Sequence, residues 1–446
     1  MKHKGLDLLF LCVCLALCAV LALGMLFAGP AAARANEVLA SAPALRGADG
    51  LNTRFLSDVS TWLSDRFFLR QELITAHNRL LAALGGGESG DVIAGRDGWL
   101  YYSATLDDYT GADMLSDAAL AAAARNLSLM RDYCEERGAQ FLFVPTPNKN
   151  SLYDAAMPSY GVKAETHEAK RLLALLQAEG VPCADLFDTF GAQEEVLYFA
   201  HDSHWNARGA ALAADEINRL LGRQSAYFTA DFSGKTPHSG DLYEMRYPAA
   251  QDGETDFVYG GTLDYTREGS DTRPDSITIN THSDAEGTLL MFRDSFGNAL
   301  YPYLADSFGT ARFSRATAYN LTLAEKLGAS CVVVELVERN LRYLLRFTPV
   351  MPAPERTLTG AETPAGQAAL ECPETNPTLA GHILYRGALP ESTAGAQTYL
   401  RAAGRCFEAF TDGEGGFACY LPEGLAPEAV LARVGDTIHV YQTNNP

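Results

Sequence analysis

Gly287-Thr-Leu-Leu-Met-Phe-Arg-Asp-Ser-Phe-Gly297 carries an apolar run that stops at Arg293-Asp294, turns at Ser295 and leads into a helix-like segment. A strand apolar at every position is buried on both faces, the pattern of a parallel sheet covered by helices on either side. A serine on such a strand-to-helix turn has its hydroxyl lifted clear of the sheet and its own N–H aimed at an incoming oxyanion. Ser295 is therefore a candidate nucleophile, although an Asp-Ser pair after a strand can equally be a plain helix cap.

A nucleophilic serine needs a base, and the best candidate lies upstream in His201-Asp-Ser-His-Trp-Asn206, ahead of Gly209 and the Ala-rich run Ala210 to Leu221. Asp202 and His204, two residues apart at the mouth of a helix, can share a hydrogen bond that fixes the imidazole tautomer. His201-x-x-His204 with Asp202 could instead bind a metal. No further His or Glu pattern accompanies it, and none of the nine cysteines shows metal-ligand spacing, so neither a metal nor any other cofactor is expected. Trp205 suits either a sugar ring or the following helix. Arg293 suits either a core carboxylate or the substrate.

Around these two blocks the chain alternates strand-like and helix-like segments. Asp117 can cap a helix to Arg137, with Gly138 as its stop, and Gln140 to Pro145 reads as a buried strand. A helix from about Glu165 to Glu179 precedes a second strand, Val181 to Leu186, and Asn206 can cap a helix ending at Gly222. Thr288 to Phe292, Ala311 to Ser314 and Cys331 to Leu336 complete five short strands. The expected fold class is α/β, a three-layer α/β/α domain with a mainly parallel sheet. Residues 223–286, rich in Gly, Asp, Thr and Tyr, break the alternation and read as an insertion beside the site.

The flanks differ in kind. Lys2 and Lys4 precede an apolar run from Leu8 to about Ala33, long enough to span a bilayer with its N-terminus inside. The competing reading is a signal peptide cleaved near Ala33-Arg34-Ala35; either one exports the remainder. Leu17 before Cys18 argues against a lipid-modification site. Phe55 to Arg70 and an amphipathic helix to about Leu84 follow, then the Gly85-Gly86-Gly87 break and a hairpin from Val92 to Tyr102 with Arg-Asp-Gly as its turn. Beyond Val350, Pro349, Pro352, Pro354, Pro364 and Pro373 mark a linker. His382 to Tyr385, Ala418 to Leu421 and Thr437 to Tyr441 suggest a small β-rich domain. The expected division is an anchor at 1–35, a catalytic domain at 36–350 and an accessory domain at 351–446. Cys134, Cys183 and Cys331 read as buried thiols, whereas any two of Cys372, Cys406 and Cys419 can pair if exported. With 35 basic against 55 acidic side chains, a net charge of −20 repels nucleic acid, anionic lipid and strongly anionic glycans.

Together the Asp202-x-His204-Trp205 and Asp294-Ser295 blocks resemble the SGNH-type esterases and acyltransferases, above all the branch of the alginate O-acetylation proteins and the bacterial DHHW family. In that branch the Asp-x-His block precedes the serine block, a circularly permuted order, as here; the segments from Phe55 to Tyr102 are similar too. Arg293 stands where ordinary SGNH enzymes have Gly, and Ser203 where the DHHW name has His. The resemblance implies Ser295 as nucleophile, His204 as base and Asp202 as its orienting partner. Glu338-Arg339-Asn340 occupies the place of the SGNH Gly-x-Asn block without its Gly, so Asn340, with Arg339 beside it, is a candidate oxyanion or substrate group. Asn148 and Asn150, after Val144-Pro-Thr-Pro147, are candidates to line the site. The implied activity is an O-acyltransferase, chiefly O-acetyl, acting outside the cell on a polysaccharide with acyl groups supplied by a membrane-bound O-acyltransferase partner. A glycan O-acetylesterase with the same triad, and a non-catalytic glycan-binding or scaffold protein, remain open.

Overall fold

The computed structural model describes residues 4–27, 39–47 and 50–443; Lys2 and the Ala33-Arg34-Ala35 segment lie outside them. The chain divides into two compact units, residues 1–93 with 239–253, and residues 94–238 with 254–446.

In the first unit the apolar run forms one helix, Lys4–Phe27, whose Gly5–Met25 stretch is long and apolar enough to cross a membrane. Helices Phe55–Ser64 and Arg70–Ala83 follow, and the second is held by residues from the 239–253 segment. There Asn78 Nδ2 donates to the Arg246 carbonyl at 2.6 Å, and the Ala249 N–H donates to Thr75 Oγ1 at 2.8 Å. The fully buried Arg246 guanidinium donates to the Gly87 carbonyl at 3.1 Å, which explains how an arginine is tolerated there.

The second unit is built on a six-stranded sheet. Its strands are β1 (Gln140–Thr146), β2 (Thr266–Arg267), β3 (Thr278–His282), β4 (Thr288–Phe292), β5 (Thr310–Ser314) and β6 (Cys331–Val337), in the spatial order β1-β6-β4-β5-β3-β2. Strands β1, β6, β4 and β5 run parallel, with Gln140 beside Cys331, Leu289 beside Cys331 and Leu289 beside Ala311; β3 and β2 extend the edge antiparallel. Alternate side chains enter two separate cores, as strand geometry requires. Phe141, Phe143, Leu290, Phe292, Val332 and Val334 pack with helices Asp117–Glu135 and Glu168–Ala178. Leu142, Val144, Leu289, Met291, Val333 and Phe313 pack with helices Ala207–Leu220 and Gly297–Ser307 on the other face. This is the three-layer α/β/α arrangement expected from the sequence, with a mixed rather than wholly parallel sheet.

Several expectations need correction. Val181 to Leu186 is not a sheet strand; it makes one isolated bridge, Phe143 to Cys183, before Asp185 caps a short helix by accepting from the Asp188 N–H. The missing strand is replaced by β2 and β3, which come from residues read as an insertion. Their burial alternates along the chain, exposed-buried-half-buried-buried-exposed across Thr278–His282, so they carry no continuous apolar signal. Ser116, not Asp117, caps the following helix, its side chain accepting from the Ala119 N–H. The next helix begins at Glu168 rather than near Glu165.

The C-terminal region is β-rich, as expected, with strands His382–Ala388, Gly416–Pro422 and Thr437–Thr443 among a ten-stranded sheet. Pro364 is not in a linker: it lies in strand Ala361–Leu370, where the pairing with Thr437–Thr443 shifts register between Pro364 and Gly366. A bulge of this kind accommodates a residue without an N–H. Cys372, Cys406 and Cys419 are all free thiols, so the expected pairing among them is absent.

Candidate active site

The site assembles at the C-terminal edge of the parallel strands, where loops leave β1, β4 and β6. After β4 the chain turns through Arg293-Asp294-Ser295 and enters the Gly297–Ser307 helix directly. Asp294 organises this turn. Its Oδ1 accepts from the Phe296 N–H at 2.9 Å and its Oδ2 from the Val337 N–H at 2.8 Å, tying the turn to the end of β6. Arg293 is buried beneath it, donating to Asn298 Oδ1 at 2.6 Å and to the Pro274 carbonyl at 2.6 Å. Its guanidinium thus binds an amide oxygen and backbone carbonyls rather than a core carboxylate. Burial, then the nearby Arg315, lowers its pKa to about 10. Gly297 is required by Arg293: a Cβ there would lie 2.4 Å from Arg293 Cδ.

The His block arrives from a different part of the chain. Asn206 caps the Ala207–Leu220 helix, its side chain accepting from the Arg208 and Gly209 N–H groups, and this fixes the residues just before it. Within the loop the Asp202 carboxylate accepts from the His204 N–H at 2.9 Å and from His204 Nδ1 at 2.7 Å. A carboxylate on Nδ1 keeps the proton there and leaves Nε2 as an acceptor. That Nε2 accepts from Ser295 Oγ at 2.8 Å. The two blocks quoted from the sequence thus meet, in the order serine, imidazole, carboxylate.

Residues 92–256 match the model of the SGNH hydrolase-like domain of the acetyltransferase AlgX. The matched stretch holds Asp202 and His204 and ends before Ser295. Among solved structures the chain is similar to a DHHW family protein of Eubacterium siraeum, at 16% identity and a TM-score of 0.45 over 59% of this chain and 98% of that one. It is also similar to Bacillus cereus PatB1, with 16% identity, a TM-score of 0.43 and coverage of 57% and 96%. The O-acetyltransferase domain of Pseudomonas putida AlgJ gives 18% identity, a TM-score of 0.38 and coverage of 56% and 92%. No curated protein matches the chain. The resemblance read from the sequence, to SGNH-like proteins of the AlgX kind, is borne out over the matched residues.

The remaining candidates sort by burial. Trp205 is only 1% exposed: its indole N–H donates to the Phe296 carbonyl at 3.1 Å, and its ring meets Phe296 edge-on at 5.0 Å. It docks the His block onto the Ser block and offers no face to a sugar. Arg339 and Asn340 lie half-buried in the turn after β6, with the Arg339 guanidinium 5.5 Å from the Phe296 ring and 5.6 Å from the Tyr102 ring. Asn148 is fully buried and its side-chain amide has no partner among the described residues, while its N–H donates to Glu338 Oε2 at 3.0 Å. Asn150 Nδ2 donates to the Thr105 carbonyl at 3.3 Å.

Three residues that sequence reasoning missed hold the His loop. Lys149 is buried and its ammonium donates to the carbonyls of Phe199 at 3.2 Å, Ala200 at 3.1 Å and Asp202 at 2.6 Å. Glu254 accepts from the Ala200 and His201 N–H groups at 2.6 and 3.0 Å. His238 Nε2 donates to Asp202 Oδ2 at 3.0 Å, with its ring stacked 3.8 Å from Phe199. Burial by itself would raise the Asp202 pKa, but the charges and hydrogen bonds of His204 and His238 outweigh it and hold the carboxyl well below its usual range. Burial would lower His238, and the bond and charge of Asp202 raise it instead. No local motif announces these partners; they are found by tertiary contact.

Proposed function

We propose that the protein is an exported, membrane-anchored O-acyltransferase, transferring acetyl groups to an extracellular or cell-wall polysaccharide. The observation that carries this is the Ser295 Oγ to His204 Nε2 contact of 2.8 Å backed by the 2.7 Å bond to Asp202. The match to an acetyltransferase domain supports acyl chemistry, and the apolar Gly5–Met25 helix supports the anchor. In this reading residues 1–35 anchor the chain, 36–350 carry the chemistry and 351–446 are an accessory β-rich domain.

Ser295 attacks the acyl carbonyl while His204 Nε2 takes its proton, and Asp202 stabilises the imidazolium that forms. The Ser295 N–H makes no hydrogen bond among the described residues and faces the developing oxyanion; the Glu338–Asn340 turn supplies a second donor. His204 returns the proton to the leaving group, then takes one from an acceptor hydroxyl that attacks the acyl-enzyme and regenerates Ser295. Acetyl-CoA is absent outside the cell, so a membrane-bound O-acyltransferase delivers the acyl group. A net charge of −20 favours a neutral acceptor.

The test is incubation of the full chain in detergent micelles with an activated acetyl ester and neutral oligosaccharides. Acetylated sugar is expected with the wild type and none with Ser295→Ala. Release of free acetate alone would make the protein an esterase, and equal sugar acetylation by Ser295→Ala would remove the nucleophile.

A further inference from the structure

Three buried polar atoms from three separate elements converge beyond the catalytic groups, and none has a hydrogen-bond partner among the described residues. They are Asp108 Oδ2, in the short helix Leu106–Thr110, His167 Nδ1, at the start of the Glu168–Ala178 helix, and Glu338 Oε1, just after β6. His167 Nδ1 lies 3.7 Å from Asp108 Oδ2 and 3.8 Å from Glu338 Oε1, and all three atoms fall within 4.8 Å of one another.

Each side chain is aimed by its other contacts. Asp108 Oδ1 accepts from the Glu168 N–H at 3.2 Å, leaving Oδ2 turned inward. Glu338 Oε2 accepts from the Asn148 N–H at 3.0 Å and from Ser151 Oγ at 2.5 Å, leaving Oε1 turned inward. The His167 ring stacks on Phe187 at 6.2 Å. Such anchoring of one oxygen while its twin is presented is how ligating carboxylates are held.

The spacing around His167 favours an ion over direct bonding to the imidazole. Separations of 3.7 and 3.8 Å are too long for hydrogen bonds. They are close to the edge of a ligand polyhedron: two ligands about 2.1 Å from a Zn²⁺ at angles of about 110 to 125° sit about 3.4 to 3.7 Å apart. Two carboxylates facing each other, with the Glu338 side chain wholly buried, are costly as anions, and a dication offsets both charges. One imidazole with two carboxylates is a donor set for Zn²⁺ or Mn²⁺ rather than for Mg²⁺ or Ca²⁺.

We propose that Asp108, His167 and Glu338 form a structural Zn²⁺ site, separate from Ser295 and His204, that pins the Asn148–Leu152 turn to the end of β6. That turn carries Lys149, so the ion is a support for the His loop rather than a participant in acyl chemistry. The sequence expectation of no metal rested on cysteine spacing and on His201 and His204, and it did not reach three ligands drawn from distant segments.

The full chain in detergent, stripped with a chelator and reloaded with one metal at a time, tests this. The wild type is expected to retain one equivalent of Zn²⁺ through gel filtration, and with Co²⁺ to show d–d absorption without a thiolate charge-transfer band. His167→Gln and Glu338→Gln are expected to bind Zn²⁺ at least about 100-fold more weakly, while Ser295→Ala keeps the full equivalent. Failure of the wild type to retain metal would overturn the proposal, leaving a shared proton or an imidazolium between the carboxylates. A thiolate band, or unchanged binding in both ligand variants, would overturn it as well. The wild-type stoichiometry and Co²⁺ spectrum decide the matter even if a variant does not fold.

Discussion

Lys149→Met keeps an unbranched stem beside Trp99 and Tyr101, whose rings lie 5.6 and 5.2 Å from the ammonium, and removes only the charge. The ammonium serves three carbonyls at 2.6 to 3.2 Å. Ala200 O also accepts from the Leu100 N–H at 2.9 Å, so the loss falls on the Phe199 and Asp202 carbonyls. At about 1 to 3 kcal/mol for each buried group that loses its bond, the cost is about 2 to 6 kcal/mol. No longer burying an ammonium returns part of this, so the expected destabilisation is about 3 kcal/mol. Because the same loop carries His204, a shift of about 1 Å lowers kcat by about 100-fold. Guanidinium unfolding of the full chain in detergent gives the first quantity, and turnover of an activated acetyl ester at matched folded fraction gives the second. A variant within about 0.5 kcal/mol of the wild type and turning over at the same rate would show that the ammonium does not hold this loop.

Three further outcomes are expected. Gly297→Ala forces a Cβ against Arg293 Cδ at 2.4 Å and should cost about 1 to 3 kcal/mol by urea unfolding, with lost turnover, since the displaced element carries Ser295. His238 has a raised pKa in the folded protein, so its charged form adds stability that is fully present below its unfolded value of about 6.5 and is lost as pH rises through the folded value. His238→Gln should therefore destabilise more at pH 5.5 than at pH 9, read as two thermal midpoints, and equal losses at both would refute the linkage. Glu408, 1% exposed, accepts from Arg125 Nε at 2.7 Å and Arg356 Nε at 2.9 Å; Glu408→Ala leaves Arg125 with Glu179 and Arg356 with Asp132 as their remaining carboxylates and should cost about 1 to 3 kcal/mol in a urea titration.

The parts of this fold that were legible in the sequence are those whose signal is local. Strand β4 is apolar from Leu289 to Phe292 because both its faces are covered, and its observed span, Thr288–Phe292, is the one read from the sequence. Asn206 announces its helix because capping acts over two or three residues. Val181 to Leu186 misled because an apolar run reads the same whether it pairs in a sheet or passes beneath a helix start. Strands β2 and β3 were missed for the opposite reason, since Thr, Asn and His on a half-exposed edge resemble a loop. At the site, the meeting of Ser295 with His204 was legible through two motifs. The partners that aim them were not, because Lys149, His238 and Glu254 act through contacts set only by the tertiary fold.

The strand order has a consequence for how the molecule is made. Strand β6 is the last of the sheet to be synthesised, yet it lies between β1 and β4 and pairs Cys331 with Gln140, 191 positions earlier. Until it emerges, the earliest strand lacks its sheet neighbour, and the loop-closure entropy of a long chain must be met before β1 joins the β4–β5 pair through β6. Strand β1 therefore waits without its sheet neighbour through most of the chain's synthesis. The turn that carries Ser295 gains its tie to the Val337 N–H only once β6 is in place.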